Sequence, residues 1–69
     1  MRFTKGYWIH DEFKDVFIDI IRVQYQDDTK VRMKVIWWNK GYTGNPWPIT
    51  GIQTLTIRGP REGWRRYEL

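Results

Sequence analysis

The 69-residue sequence contains no cysteine, no serine and a single histidine, His10. Without cysteine no disulfide can stabilise the chain, and the redox compartment stays undecided. A structural zinc site needs several cysteine or histidine ligands, so one histidine predicts no metal site. Nucleophilic catalysis by a Ser–His or Cys–His pair lacks its nucleophile. These absences indicate a protein that is not an enzyme.

Long apolar segments and nucleotide-binding loops are absent as well. The longest unbroken apolar run, Val35 to Trp38, is far shorter than the roughly 20 residues that cross a membrane. Residues 1–5 do not lead into the apolar segment of a secretory signal. The stretch Gly41–Gly44 lacks the Gly-Lys-Ser/Thr ending of a phosphate-binding loop, and no other motif points to a cofactor. We therefore expect one cytoplasmic domain over residues 1–69, with no membrane contact.

Most of the acidic residues fall in two short groups that are typical of turns. The Asp27-Asp28 pair lacks the ligand spacing and the glycine of a calcium loop, and it predicts a turn between two strands. Residues 11–15, which follow His10, predict a charged turn in which Asp11 is the N-cap of one helical turn. Acid–base catalysis or metal binding is the alternative interpretation of this second group.

The sequence does contain a succession of strand patterns, rich in valine, isoleucine, tyrosine and tryptophan. Val16–Tyr25 and Val31–Trp38 are the longest, and Gln26–Lys30 joins them with turn-forming residues. Prolines in residues 39–50 predict an irregular loop. Three shorter strands are predicted at Gly6–His10, Ile52–Arg58 and Trp64–Leu69.

The pairing of the two long strands follows from which residues share an apolar face. A two-residue turn would oppose Gln24 to Val31 and mix polar with apolar partners. Moving the register by one residue gives apolar pairs, provided that an extra residue at Ile20-Ile21 forms a β-bulge. The predicted inner pairs are Tyr25 with Val31, Val23 with Met33, Ile21 with Val35, and Ile18 with Trp37. The predicted outer face carries Phe17, Asp19, Arg22 and Gln24 opposite Arg32, Lys34, Ile36 and Trp38.

About five short strands in an all-β chain of this length predict a small barrel. The coiled, bulged hairpin and the long loop favour a five-stranded SH3-like barrel. Tyr67 and Leu69 of the closing strand are expected to face inward. The alternatives are an OB-like barrel and an open, strongly twisted antiparallel sheet.

Tryptophan and basic residues are abundant. The 12 basic and 8 acidic residues give a net charge of +4. A domain this small cannot bury five indoles completely, so several indole edges are expected at the surface. Exposed aromatics beside cations suit nucleobases and phosphates, or a protein partner. The tryptophans are Trp8, Trp37, Trp38, Trp47 and Trp64.

The predicted binding residues form three groups. The outer face of the hairpin is expected to hold a sugar-phosphate backbone while bases stack on its rings. Its residues are Arg22, Arg32, Lys34, Phe17 and Trp38. The long loop adds Tyr42 and Trp47, and a C-terminal patch near Trp64 adds Arg58, Arg61, Arg65 and Arg66. In the alternative interpretation, Phe17, Ile36 and Trp38 pack as a second small core.

Two functions fit this composition. We expect a module that binds nucleic acid, single-stranded or RNA, because no recognition helix is available for the major groove. The alternative is a protein-interaction module for an acidic surface, such as an inhibitor or adaptor encoded by a virus or mobile element, since interfaces favour the same Trp, Tyr and Arg. A homo-oligomer that pairs exposed strand edges is compatible with either. A further interpretation is a cage for a methylated ammonium group. That cage would be built from Tyr7, Trp8, Tyr42 and Trp47, with Asp11 or Glu12.

Overall fold

The computed structural model describes residues 2–69, and within this range the chain forms six strands and no helix. It therefore holds no helix that is long and apolar enough to span a membrane. All strand pairs are antiparallel. The strands are β1 (Gly6–His10), β2 (Val16–Gln26), β3 (Lys30–Asn39), β4 (Trp47–Pro48), β5 (Gln53–Arg58) and β6 (Trp64–Arg66).

The strands form a single sheet in the order β4-β3-β2-β1-β6, and β5 also pairs with β3. β5 lies along residues 30–35 of β3, and the short β4 lies along residues 38–39 of the same side. Within residues 2–69 no pairing joins β5 to β6, so β6 remains one edge of the sheet, and β5 with the short β4 forms the other. The molecule is flattened, with extents of 37, 23 and 15 Å. The all-β class is confirmed, but the sheet is not closed into a barrel, and an SH3-like barrel is not confirmed.

Two β-bulges set the register of the central hairpin. The first lies at Ile21, because Ile20 pairs with Val35 and Arg22 with Lys34. This confirms the predicted bulge, together with the Ile18–Trp37 and Val23–Met33 pairs. The predicted Ile21–Val35 pair is wrong, because Ile21 is the extra residue of the bulge and Ile20 lies opposite Val35. A second shift, which the sequence pattern does not predict, lies between Val23 and Tyr25. Tyr25 therefore pairs with Arg32 rather than Val31, and the predicted inward position of Tyr25 is wrong.

The main core lies on the inner face of the sheet. Alternation along β3 buries Val31, Met33 and Val35 completely, as the register predicts. The N-terminal segment contributes Phe3, whose ring meets Trp8 edge-on at 5.0 Å and Trp64 at 5.6 Å. Core size is limited in so short a chain, so aromatic packing contributes much of the buried apolar area. The remaining buried members are Ile18 and Ile20.

Three local predictions at the ends of strands are corrected by the structure. Strand β6 ends at Arg66, and Leu69 is 67% exposed instead of facing inward. Tyr67 packs against Phe17, which the main core does not include. The predicted charged turn at residues 11–15 is confirmed, but it begins with a β-turn, closed by a hydrogen bond from the Phe13 amide to the His10 carbonyl, instead of a helical turn with an Asp11 cap.

Candidate functional site

The outer surface of β2, β3 and β5 carries a concentration of positive charge. Lys30, Arg32 and Lys34 alternate with the buried residues of β3, so strand periodicity places all three on the outer face. Pairing adds Arg22, which lies opposite Lys34, and Arg58, which lies opposite Lys30. We call these residues the basic face: Arg22, Lys30, Arg32, Lys34 and Arg58.

Within residues 2–69 no ion pair is recorded between the basic face and an acidic side chain. The one ion pair recorded for residues 2–69 joins Arg65 to Asp11, which lies outside the basic face. Lys34 donates a hydrogen bond to the Thr54 hydroxyl at 2.6 Å, and Lys30 lies 5.4 Å from the centre of the Tyr25 ring. Like charges placed directly opposite each other destabilise a sheet, as with Arg22 and Lys34. An anion bound between them would relieve this repulsion.

A shallow groove lies between the N-terminal segment and β2, next to Arg22 of the basic face. The Phe3 amide donates a hydrogen bond to the Gln26 side-chain oxygen at 2.7 Å, which holds the N-terminal segment beside β2. The groove between them has a volume of about 710 Å³ and is lined by Arg22, Arg2 and Lys5 among other residues. Arg2 and Lys5 therefore lie along the same groove as Arg22.

Aromatic side chains occupy the opposite end of the same outer face. The Phe17 ring stacks on Trp38 with centroids 6.2 Å apart and an angle of 9° between the planes. Tyr67 lies 4.6 Å from Phe17, and Tyr7 meets it edge-on at 5.7 Å. Phe17 is completely buried, whereas Trp38 is half-buried. We call these four residues the outer aromatic cluster; in it Phe17 supports the Trp38 ring, and Trp38 retains surface for a ligand.

Asp19 lies between the basic face and the outer aromatic cluster. It pairs with Ile36 on β3 and with Tyr7 on β1. Burial raises the pKa of this carboxyl above its ordinary value, because burial penalises the charged form. Within residues 2–69 no ion pair is recorded between Asp19 and a cation of the basic face.

The structure disperses the predicted C-terminal patch. Arg58 joins the basic face, whereas β6 at the other edge of the sheet carries Arg65 and Arg66. Arg66 lies 5.4 Å above the Trp8 ring and donates hydrogen bonds to the Thr4 hydroxyl and the Lys5 carbonyl. Arg61 donates hydrogen bonds to the Gln26 side chain and the Asp27 carbonyl. Arg61 therefore joins the segment after β5 to the end of β2, and Arg66 joins β6 to the N-terminal segment.

The two aromatic residues of the long loop come together away from the basic face. Tyr42 and Trp47 line a cavity of about 110 Å³ with Asp15, Asn39 and Gly41. Trp47 is 48% exposed and Tyr42 is fully exposed. The proposed cage of four aromatic residues does not assemble: Trp8 is buried in the main core, and Tyr7 belongs to the outer aromatic cluster.

Part of the basic face is not predicted by the sequence, for identifiable reasons. Lys30 was assigned to a turn, although its place two residues before Arg32 already indicates the same face once the strand extends by one residue. Arg58 was assigned to another patch because the β3–β5 pairing depends on tertiary structure. Tyr25 reaches the outer face only through the second bulge. No protein-family model matches this chain, and neither the curated proteins nor the solved structures yield a match.

Proposed function

We propose that this protein binds nucleic acid through the basic face, with the phosphates lying across β2, β3 and β5. The observation that carries the proposal is the placement of five cations on three adjacent strands, with no ion pair recorded for any of them within residues 2–69. Phosphate contacts of this kind supply most of the affinity of sequence-independent binding.

Single-stranded nucleic acid or RNA is the preferred class of ligand. No helix is available within residues 2–69 to enter a major groove. Half-buried Trp38 and exposed Tyr25 lie on the same outer face as the cations, where an unstacked base can lie against an aromatic ring. Support for the proposal is therefore the combination of cations and aromatic rings on one surface.

Fluorescence titration with mixed-sequence oligonucleotides at several salt concentrations tests the proposal. Binding should weaken with salt, because each phosphate contact releases counterions. Arg32→Ala and Lys34→Ala should each lower the slope of log affinity against log salt by about 0.7. Lys14→Ala, which removes the same charge outside the basic face, is the matched control and should leave the slope unchanged. Absence of binding at low salt would contradict the proposal.

Protein binding is a second candidate function, favoured by a different surface. Three large apolar side chains within six residues are exposed: Trp47 by 48%, Ile49 by 50% and Ile52 by 63%. Exposed apolar residues grouped in this way mark interaction surfaces. A surface of this kind is compatible with a compact inhibitor or adaptor. Affinity capture from lysate with and without nuclease separates the two functions, since a stoichiometric partner that survives nuclease supports the second.

A further inference from the structure

The two edges of the sheet differ in length and in charge. The β6 edge is three residues long and carries Arg65 and Arg66. The β5 edge is six residues long, and no strand pairs with its outer side within residues 2–69. From Ile49 to Ile57 the sequence contains no charged residue and no proline.

Such an edge is unusual for a strand that stays unpaired. Natural sheets block their edges with lysine, proline, bulges or very short strands, because free N–H and C=O groups pair with other chains. The β6 edge has this protection, but β5 has none before Arg58. Threonine, leucine and isoleucine in β5 are compatible with strand pairing. The contrast indicates that the β5 edge is used for pairing.

We propose that β5 pairs antiparallel with β5 of a second copy of this chain, with the twofold axis at Thr56. In an antiparallel pair, opposite residues share a face. Inner-face residues of one β5 must therefore lie opposite inner-face residues of the other, and outer-face residues opposite outer-face residues. A register centred on Thr56 places Leu55 opposite Ile57 twice on the inner face. On the outer face Thr56 meets its own copy and Arg58 meets Thr54, so no like charges lie opposite each other.

A second copy fits this edge because the register is self-complementary. In a twofold interface, if one residue contacts a second residue of the other copy, the reverse contact also occurs. The two Leu55–Ile57 pairs meet this condition. Both side chains are only partly buried in the monomer and pack against its core. Pairing would extend the apolar inner surface of each sheet. Domains of this size often gain stability in this way, because a single small core supplies little.

The dimer has a consequence that rests on the proposed function. β5 is the strand that carries Arg58, so pairing brings two basic faces side by side on one continuous sheet. Five cations from each copy would then form one surface. A nucleic acid strand spanning it makes more phosphate contacts than one copy provides, and the salt dependence of binding should steepen accordingly.

Sedimentation velocity in the absence of nucleic acid tests the pairing separately from the function. From about 1 µM to about 1 mM, a range that brackets weak to moderate dimers, the protein should shift from one copy to two. Thr56→Lys places two lysines opposite each other and should weaken dimerisation about tenfold or more. Thr43→Lys, with the same charge change in the exposed loop, should have no effect. A protein that remains monomeric throughout, or whose dimer survives Thr56→Lys, would overturn the inference.

Cysteine cross-linking tests the register. Only the introduced residue can form a disulfide, because the chain has no cysteine of its own. Under mild oxidation Thr56→Cys should form a covalent dimer of twice the 8.5 kDa chain mass. Thr43→Cys is the control for random collision and should cross-link much more slowly. Equal rates for the two variants would overturn the proposed axis. Thr56→Lys adds a cation to the outer face, so loss of the dimer with retained oligonucleotide binding distinguishes this inference from the proposed function.

Discussion

The Asp27 side chain organises the loop between β2 and β3. Its carboxylate accepts hydrogen bonds from the Tyr25 hydroxyl, from the Thr29 amide and hydroxyl at 2.8 Å, and from the Lys30 amide at 3.0 Å. The Tyr25 hydroxyl and then the Thr29 groups hold the pKa of Asp27 well below its ordinary value, because they stabilise the charged form. A residue expected only to favour a turn therefore fixes the start of β3.

The lowered pKa of Asp27 predicts a loss of stability in acid. A carboxyl whose pKa is lower in the folded state stabilises the fold above its unfolded value of about 3.9, and this contribution disappears as the pH falls toward the folded value. Thermal unfolding from about pH 5 to pH 2 should therefore show a smaller decline for Asp27→Asn than for the parent protein. At pH 7 the variant should be the less stable of the two.

Asp19→Asn is the matched control for that experiment. Burial raises the pKa of Asp19, so its charged form destabilises the fold at neutral pH. This substitution should raise the melting temperature at pH 7, opposite in sign to Asp27→Asn. If both substitutions changed stability in the same direction, the assignment of these two environments would be wrong.

At the scale of the element, β3 determines where both the core and the basic face lie. It pairs with β2 on one side and with β4 and β5 on the other, and its side chains alternate strictly between the two faces. One residue of slippage would exchange Met33 with Arg32 or Lys34. The register therefore links the stability of the domain to the position of its charge.

The register predicts opposite results for neighbouring substitutions in β3. Met33 is completely buried, so Met33→Ala should lower the free energy of unfolding by about 2–5 kcal/mol. Arg32 is exposed, so Arg32→Ala should change it by no more than about 0.5 kcal/mol. Urea denaturation of both variants provides the measurement. A large loss for Arg32→Ala with a silent Met33→Ala would reverse the faces.

The loop before β4 has less room for a side chain at Gly41 than at Gly44. Gly41 and Gly44 both have a positive φ, 75° and 78°, where a side chain costs about 1–2 kcal/mol. A Cβ on Gly41 would also collide with the Asn45 carbonyl group, whereas a Cβ on Gly44 meets nothing within 4 Å. Gly41→Ala should therefore destabilise the protein clearly more than Gly44→Ala in thermal unfolding. Equal losses would contradict this geometry of the loop.

For the whole molecule, the distribution of charge matters more than its total. The net charge of +4 is modest, yet five cations gather on one face while other arginines contact aromatic rings or Asp11. The arginines therefore differ in their contacts, although the composition counts them all alike. This difference in contacts predicts that substitutions of different arginines change binding by different amounts.

Arg58 and Arg65 provide a matched pair at this scale. Arg58 lies opposite Lys30 on the basic face, and Arg65 pairs with Asp11 through exposed side chains at 3.1 Å. Arg58→Ala should weaken oligonucleotide binding and lower the salt slope by about 0.7, whereas Arg65→Ala should do neither. The exposed ion pair contributes little to stability, so both variants should remain folded. A larger effect from Arg65→Ala would place the binding surface on the β6 edge.

Sequence alone determined the all-β class, the two long strands and much of the central register. Val16–Tyr25 and Val31–Trp38 are clear strands, and the change of apolar phase at Ile20-Ile21 required a bulge, because one inserted residue is the local way to keep both halves facing the core. Arg22, Arg32 and Lys34 were placed on the outer face by the same alternation.

Tertiary structure decided the rest, because it depends on contacts between residues far apart in the sequence. The second bulge near Gln24 placed Tyr25 on the outer face, and the β3–β5 pairing added Arg58 to the basic face. Burial of Phe17 depends on Tyr67, fifty residues later in the chain. Closure of the sheet likewise depends on how far β5 and β6 are brought together. Periodicity reports which residues share a face within a strand, but it carries no information about which strands become neighbours.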